Sequence, residues 1–319
     1  MYIFIVNPIA GKGQGLKILN KLKKNILFKQ IPSRCFITDY PGHAELLARQ
    51  AVKMYPTQIK SLIVIGGDGT FYEVLNGTSS HRSVPLSFIP AGSGNDFARG
   101  YRIKGNPSKI LKRIIEGNST LCWPGSFTIN ERQSQPPKLF ANSIGFGFDA
   151  QIVKTANQSK YKGWLNKWNL GTLTYVIALI DVLRKFKPKT IELVIDGQKR
   201  KLENVWMVTI SNHSYYGGGM KIIPNTKIQP RVFPMLIIKN ISHWKVLALF
   251  VTVFWGGHIR FKEVSIEYIS SLQISSDSLI DYQVDGQYGT CYSCKIMKQS
   301  TTREINGTMS ENNLLEITS

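Results

Sequence analysis

The fold class this sequence predicts is a parallel α/β domain followed by a mainly antiparallel β domain. Three observations predict it. Short apolar runs alternate with helix-periodic segments over roughly the first 120 residues. Three of those runs end in glycine-rich turns. From Cys122–Phe127 to about residue 296, β-like segments dominate. Strand and helix in alternation imply a parallel sheet covered on both faces, whereas strands joined directly imply antiparallel pairing.

The elements follow in order. Tyr2–Val6 is a buried strand, and the turn holding Gly11, Gly13 and Gly15 leads into a helix over Leu16–Leu27. Arg34–Thr38 is a second strand, Ala44–Met54 a helix, and Ser61–Ile65 a third strand running into Gly66-Gly67. Phe71–Asn76 is helical, Pro85–Ile89 is the fourth strand, and Pro107–Glu116 is a helix with Asn106 as N-cap. In the second half, strands are expected at Phe127–Ile129, Lys138–Ser143, Thr190–Ile195, Val205–Ser211, Val232–Ile238, Val264–Tyr268 and Leu272–Ser275. Leu173–Phe186 reads as a helix, and Trp244–Trp255 as either a helix or a buried strand. The polar stretch Gln299–Asn313 reads as a mobile loop before a short segment, Leu314–Ile317. The domains are drawn at 1–125 and 126–298, with a tail at 299–319 that can pack back on the first domain.

Composition narrows the function. The 319 residues are 43% hydrophobic and 19% charged, a globular balance. Forty Lys and Arg against twenty Asp and Glu give a net charge of +20, which calls for a polyanionic partner. Four scattered cysteines, including the lone pair Cys291 and Cys294, make neither a disulfide framework nor a zinc site, and read as reduced cytoplasmic thiols. No apolar run approaches the ~20 residues that span a bilayer.

Chemistry gathers in the three turns, which in a parallel sheet collect at the carboxyl ends of the strands, where ligands bind. Asn7–Gly13 brings backbone N–H groups and a helix N-terminus within reach of an anion. Gly66-Gly67-Asp68-Gly69-Thr70 suits no regular element, so backbone shape and the Asp68 carboxylate are what it supplies. Beside phosphates, that carboxylate implies a divalent cation or a proton transfer. Pro90–Arg99 again sets small residues and a carboxylate after a strand.

Together these motifs resemble the diacylglycerol kinase catalytic domain family, which includes soluble bacterial lipid kinases and the sphingosine and ceramide kinases. The resemblance continues through Phe71–Gly77, through Thr38 with Gly42-His43-Ala44, and through Ala141-Asn142, Gly145–Ala150 and Tyr215–Met220, from residue 2 to about 296. It implies an α/β domain like that of NAD kinase and a β-sandwich-like second domain. It implies ATP bound by Asn7, Gly11, Lys12, Gly13, Thr38, Gly66, Gly67, Asp68, Gly69, Thr70, Glu73, Ser93, Asn95 and Asp96. Mg²⁺ would lie near Asp68 and Asp96, and a carboxylate would take the proton of the lipid hydroxyl.

The sequence departs from the family in two places. The family's Asp-Gly-Glu turn is Asp285-Gly286-Gln287 here. If the base is the Asp, Asp285 acts and Gln287 orients it; if it is the Glu, the base is lost. The first is preferred. The acidic loop that holds a structural Mg²⁺ in bacterial relatives is replaced at Gln229, Pro230, Arg231 and Pro234. A hard cation needs anionic oxygens, so that site is expected to be absent.

Residues 151–190 hold eight Lys or Arg against one acid, and residues 220–262 hold seven against none. Trp164, Trp168, Trp244 and Trp255 are interleaved with them. Basic residues beside interfacial aromatics suit an anionic bilayer. The expected protein is therefore a cytoplasmic, peripherally membrane-associated lipid kinase using ATP and Mg²⁺ on diacylglycerol or a related lipid, with no nucleic-acid partner and a homodimer left open. A non-catalytic nucleotide- or lipid-binding relative is one rival. An NAD kinase is the other, against which the Ser93–Arg99 and Tyr215–Met220 motifs speak.

Overall fold

A computed structural model describes residues 1–130, 136–158 and 179–309. The chain forms two compact units: Met1–Pro124 with the chain from Thr301 onward, and Gly125–Ser300.

The first unit is built on β1 (Tyr2–Val6), β2 (Ser33–Ile37), β3 (Ser61–Gly66), β4 (Leu86–Pro90), β5 (Ser119–Cys122) and β17 (Arg303–Asn306). Their order is β2-β1-β3-β4-β17-β5, parallel except where β17 meets β5. Every residue of β1 and β3 is buried, as continuous apolar runs in a sheet covered on both faces must be. The helices are α1 (Ala10–Lys23), α2 (Ile26–Gln30), α3 (His43–Met54), α4 (Asp68–Gly77), α5 (Asp96–Gly100) and α6 (Pro107–Ile115). The Asn106 side chain accepts from Lys109 N, the cap expected for α6. Phe71 on α4 stacks on Phe97 of α5 with centroids 3.9 Å apart, and Phe97 on Tyr101 at 4.3 Å. This aromatic column pins the helices that follow two of the glycine-rich turns.

Strand β17 corrects the reading of 299–313 as loop. Of its four residues only Ile305 is apolar, so composition concealed it. Arg303 is 2% exposed, and its guanidinium donates to the carbonyls of His81, Val84 and Thr78 at 2.7–2.9 Å. Those carbonyls, at and beyond the C-terminal end of α4, supply the oxygen acceptors that a buried cation needs. Burial lowers the Arg303 pKa to about 10. Residues 310–319, including Leu314–Ile317, lie outside the described residues.

The second unit is one nine-stranded antiparallel sheet. Its strands are β6 (Gly125–Ile129), β7 (Lys138–Phe140), β8 (Ser143–Gly147), β9 (Lys189–Ile195), β10 (Gln198–Ser211), β13 (Phe233–Lys239), β14 (Val264–Ile269), β15 (Ser271–Val284) and β16 (Gln287–Lys298). The order is β14-β13-β10-β8-β15-β16-β6-β7, with β9 paired to both β10 and β15. A separate ribbon joins β11 (Tyr215–Tyr216) and β12 (Met220–Lys221). Helix α7 (Phe148–Gln158) follows β8, residues 179–185 are helical, and α8 spans His243–Thr252.

Several expectations change here. Lys138–Ser143 divides into β7 and the start of β8. The strand expected at Leu272–Ser275 extends to Val284 and returns as β16. Trp244–Trp255 is a helix rather than a strand, and α2, α5 and α7 were not anticipated. The part of the Leu173–Phe186 helix before residue 179 lies outside the described residues, as do Trp164 and Trp168.

Candidate active site

The three turns meet because β1, β3 and β4 are neighbours in the sheet. Asn7 N donates to Ile65 O at 2.9 Å, and Ala91 N to Gly66 O at 2.7 Å. The Asn7 side chain donates to Thr70 Oγ1 at 3.2 Å. Gly11, Lys12 and Gly13 have φ of 55°, 62° and 85°, so α1 is broken there and its regular part starts later. The Gly13 N–H closes this turn on Ile9 O at 3.2 Å, and the glycines leave the backbone open to close approach. A Cβ on Gly11 would lie 1.9 Å from Ala91 O, and one on Gly92 would lie 2.7 Å from Gly67 Cα. The turns therefore pack backbone on backbone, which is why glycine stands at those contacts. Buried Thr38 joins them, its N–H donating to Val6 O at 2.9 Å.

The carboxylates of this unit hold the turns together. Asp68 Oδ2 accepts from Asp96 N at 3.1 Å and Oδ1 from Phe97 N at 3.0 Å, so Asp68 caps α5 from the neighbouring turn. Burial raises its pKa, opposed by these backbone N–H bonds. Asp96 pairs with Arg99 at 3.0 Å. Glu73 does for α3 what Asp68 does for α5, accepting from Gly42 N at 2.9 Å and Ala44 N at 3.1 Å. Asn95 closes the third turn, with its side chain bonded to Gly92 N at 3.0 Å and Gly92 O at 2.7 Å. Lys12 and Ser93 are exposed beside them.

Of the residues expected to bind nucleotide, Asn7, Gly11, Lys12, Gly13, Thr38, Gly66–Thr70, Ser93, Asn95 and Asp96 fall at this edge, whereas Glu73 is spent on α3. Asp68 and Asp96, the carboxylates expected near Mg²⁺, each have protein partners. Both Asp68 oxygens face backbone N–H groups, Asp96 faces Arg99, and no group of three or more His, Cys, Asp or Glu able to hold a metal occurs among the described residues. The Gln229–Pro234 segment places Arg231 at φ 73°, in left-handed backbone. Cys291 and Cys294 are buried free thiols, and burial raises the pKa of each, Cys291 to about 12.

In the second unit the Asp285 corner has a task the sequence did not reveal. Asp285 and Gly286 have φ of 47° and 85°, a two-residue hairpin turn between β15 and β16. The Asp285 carboxylate is buried and accepts from Ala141 N at 2.8 Å and from Asn142 N and Ser143 N at 2.9 Å. Beside its expected role as base, Asp285 thus has a structural one, fastening the link between β7 and β8. Gln287 is exposed.

Asp149, inside the Gly145–Ala150 motif, carries no expected role, yet it is the second buried acid of this unit. It sits in the first turn of α7, 4% exposed. Tyr216 Oη donates to its Oδ2 at 3.1 Å and Thr209 Oγ1 at 3.4 Å. Oδ1 and the nearby Gln283 Nε2 are buried without a hydrogen-bond partner among the described residues. Gly145 makes the space: a Cβ there would lie 1.9 Å from Asp149 Oδ2. Burial raises the Asp149 pKa to about 6, opposed first by Tyr216 and then by the Ala150 N–H and the Gln283 amide, which lie near the carboxylate but outside hydrogen-bond geometry. The signal in the sequence was an acid placed directly after the strand-ending Gly147-Phe148 and shared with a known family.

Comparison with known proteins bears on both units. The model for the diacylglycerol kinase catalytic domain matches residues 1–122. That for the YegS C-terminal NAD kinase beta sandwich-like domain matches residues 142–295. A Bacillus subtilis protein named "Putative lipid kinase YtlR" is 33% identical over 287 residues, covering 90% of this chain and 93% of its own. A Mycobacterium tuberculosis diacylglycerol kinase is 26% identical over 290 residues, covering 89% and 87%. Among solved structures, a diacylglycerol kinase from Bacillus anthracis superposes with TM-score 0.66 at 18% identity, covering 95% of each chain. Yeast NADH kinase superposes with TM-score 0.54 at 10% identity, covering 99% of this chain and 85% of the other. The solved structures speak to the fold alone.

Proposed function

This chain belongs to the diacylglycerol kinase family, and from that premise we propose that it is an ATP-dependent lipid kinase acting on the free hydroxyl of diacylglycerol or a related lipid at a membrane surface. The observation that carries the reading is the cradle made by the turns after β1, β3 and β4, where glycines let backbone pack closely on backbone. Such a cradle offers N–H groups to phosphate oxygens without a bulky side chain between.

Phosphoryl transfer asks mainly for positioning and charge neutralisation. In this proposal the lipid hydroxyl oxygen bonds to the γ-phosphorus as the bond from that phosphorus to the ADP oxygen breaks. Asp68 and Asn95 act by fixing the cradle. Divalent metal would come with the nucleotide, beside Asp68 and Asp96, whose protein partners already fix their positions. For the hydroxyl proton the second unit offers the Tyr216–Asp149 pair, in which Tyr216 Oη can accept a proton as it gives its own to Asp149 Oδ2. A carboxylate with a pKa near 6 is closer to the working range of a general base than an ordinary one.

The commitment of Asp285 to backbone N–H groups, with Gln287 beside it, favours one second reading, a non-catalytic nucleotide-binding relative. One assay separates the readings: radiolabelled ATP offered with a panel of lipids in detergent micelles, and with NAD in a parallel tube. Labelled phospholipid supports the kinase. ATP binding without transfer to any lipid supports the relative, and label in NAD supports an NAD kinase.

A further inference from the structure

Helix α8 is apolar on two opposite sides. Val246, Leu249 and Val253 are buried and pack in the core with Trp206, Leu236 and Ile241. The opposite stripe, Trp244, Ala248 and Val251, is exposed, and the turns after the helix continue it with Phe254 and Trp255. At ~100° per residue, positions 244, 248 and 251 lie within about 60° of one another, facing away from 246 and 249. The exposures are large: Trp244 82%, Trp255 63%, Val251 57%, Phe254 42%, and Ile259 41% on the following turn. A helix that is apolar all round belongs in a core or against lipid, and this one has a core on one side only.

The charge around the stripe names what covers the other side. Exposed Lys221 sits against the end of the helix, its N–H donating to Val253 O at 3.0 Å. Arg260 and Lys262 are exposed just beyond it. Lys245 is paired with Glu263 at 2.6 Å, but from 220 to 262 the chain holds no acid at all. Aromatic and aliphatic side chains rimmed by cations match an anionic phospholipid surface, where tryptophans sit among headgroups and lysines meet phosphates. No helix among the described residues is long and apolar enough to cross a membrane, and a helix with one apolar face outward can meet a bilayer lengthwise at its interface.

We infer that the Trp244–Ile259 surface docks the protein on an anionic bilayer, with Trp244, Val251, Phe254 and Trp255 inserted and Lys221, Arg260 and Lys262 against the headgroups. The inference rests on the lipid-kinase reading for its purpose but not for its test.

The experiment measures partition of the full chain onto vesicles of phosphatidylglycerol and phosphatidylcholine, by sedimentation. A second readout is quenching of tryptophan emission by brominated lipid. Trp244→Ser with Trp255→Ser should weaken partition at least tenfold and remove most of the quenching. Arg260→Glu with Lys262→Glu should weaken it further as salt falls, by about fivefold for each basic residue removed. Val251→Ser with Ile259→Ser is a second apolar pair, should the tryptophan variant fail to fold. Phosphorylation of a short-chain diacylglycerol dissolved below its aggregation limit should be unchanged in all three variants. Wild-type partition in both apolar variants overturns the inference. So does a vesicle-free dimer that turns monomeric in those variants while partition is kept, since a second copy then covers the stripe. If the wild type docks through the tryptophans yet phosphorylates no lipid, docking stands and the kinase reading falls.

Discussion

Asp285 and Asp149 are both buried, both lie in the second unit, and both belong to motifs shared with the family, yet they are held in opposite ways. Asp285 accepts three backbone N–H groups at 2.8–2.9 Å. Asp149 accepts side-chain hydroxyls on one oxygen and leaves the other without a hydrogen-bond partner among the described residues. The first arrangement stabilises an anion and fastens a chain corner. The second leaves a carboxylate able to gain and lose a proton. A motif places an acid; the partners of its oxygens decide what the acid does.

Substitution separates the two most strongly. Asp149→Asn should cut turnover by ~10²–10⁴, the usual share of a general base, with ATP affinity kept. Asp285→Asn keeps a residue suited to positive φ but removes the anion from three N–H groups. It should cost about 2–4 kcal/mol of stability of the second unit, read by denaturant unfolding, while turnover per folded molecule survives.

The stability of the second unit against pH tests the same contrast at a smaller scale. Burial raises Asp149 to about 6, so the folded state holds its proton more tightly than the unfolded chain. Its contribution is present below about 4 and is lost as pH rises through 6. His213 runs the other way: burial lowers it to about 4, so its contribution is present above about 6.5 and is lost as pH falls through 4. The slopes oppose, and between pH 4 and 6 they leave little net dependence from this pair. Asp149→Asn removes one of them. The variant should gain stability from pH 4 to 6.5, by up to ~3 kcal/mol, where the parent is flat. A variant profile as flat as the parent's contradicts the buried state of Asp149 and His213.

Asp68→Ala carries the comparison into the first unit. Uncapping α5 should cost ~1–2 kcal/mol and weaken ATP binding about tenfold by calorimetry, because the third turn loses its anchor. The smallest effect is expected at exposed Gln287. Gln287→Glu, which restores the family's residue, should change stability by less than about 0.5 kcal/mol and turnover little. A large gain in activity would instead make the Glu the family's base.

Much of this was legible before any coordinates. The alternation of Tyr2–Val6, Ser61–Ile65 and Pro85–Ile89 with helices gives the parallel sheet, and the glycine turns lie where strand order requires. What stayed hidden depends on contacts distant in sequence. Arg303 reads as a surface residue until three carbonyls, more than 200 residues earlier in the chain, surround it. Asp68 and Glu73 stand in the sequence as acids of a nucleotide-binding motif, and only the fold shows that each also caps a helix start. Asp285 reads as a base because the turn Asp-Gly-Gln shows two residues of the family's turn and none of the N–H groups it fastens.

The most direct measurement is phosphoryl transfer from labelled ATP to diacylglycerol in mixed micelles, by wild type, Asp149→Asn and Asp285→Asn, each corrected for its folded fraction. The account predicts labelled phosphatidic acid from wild type and Asp285→Asn, and almost none from Asp149→Asn. A folded, ATP-binding Asp285→Asn that transfers nothing, beside an active Asp149→Asn, would contradict it.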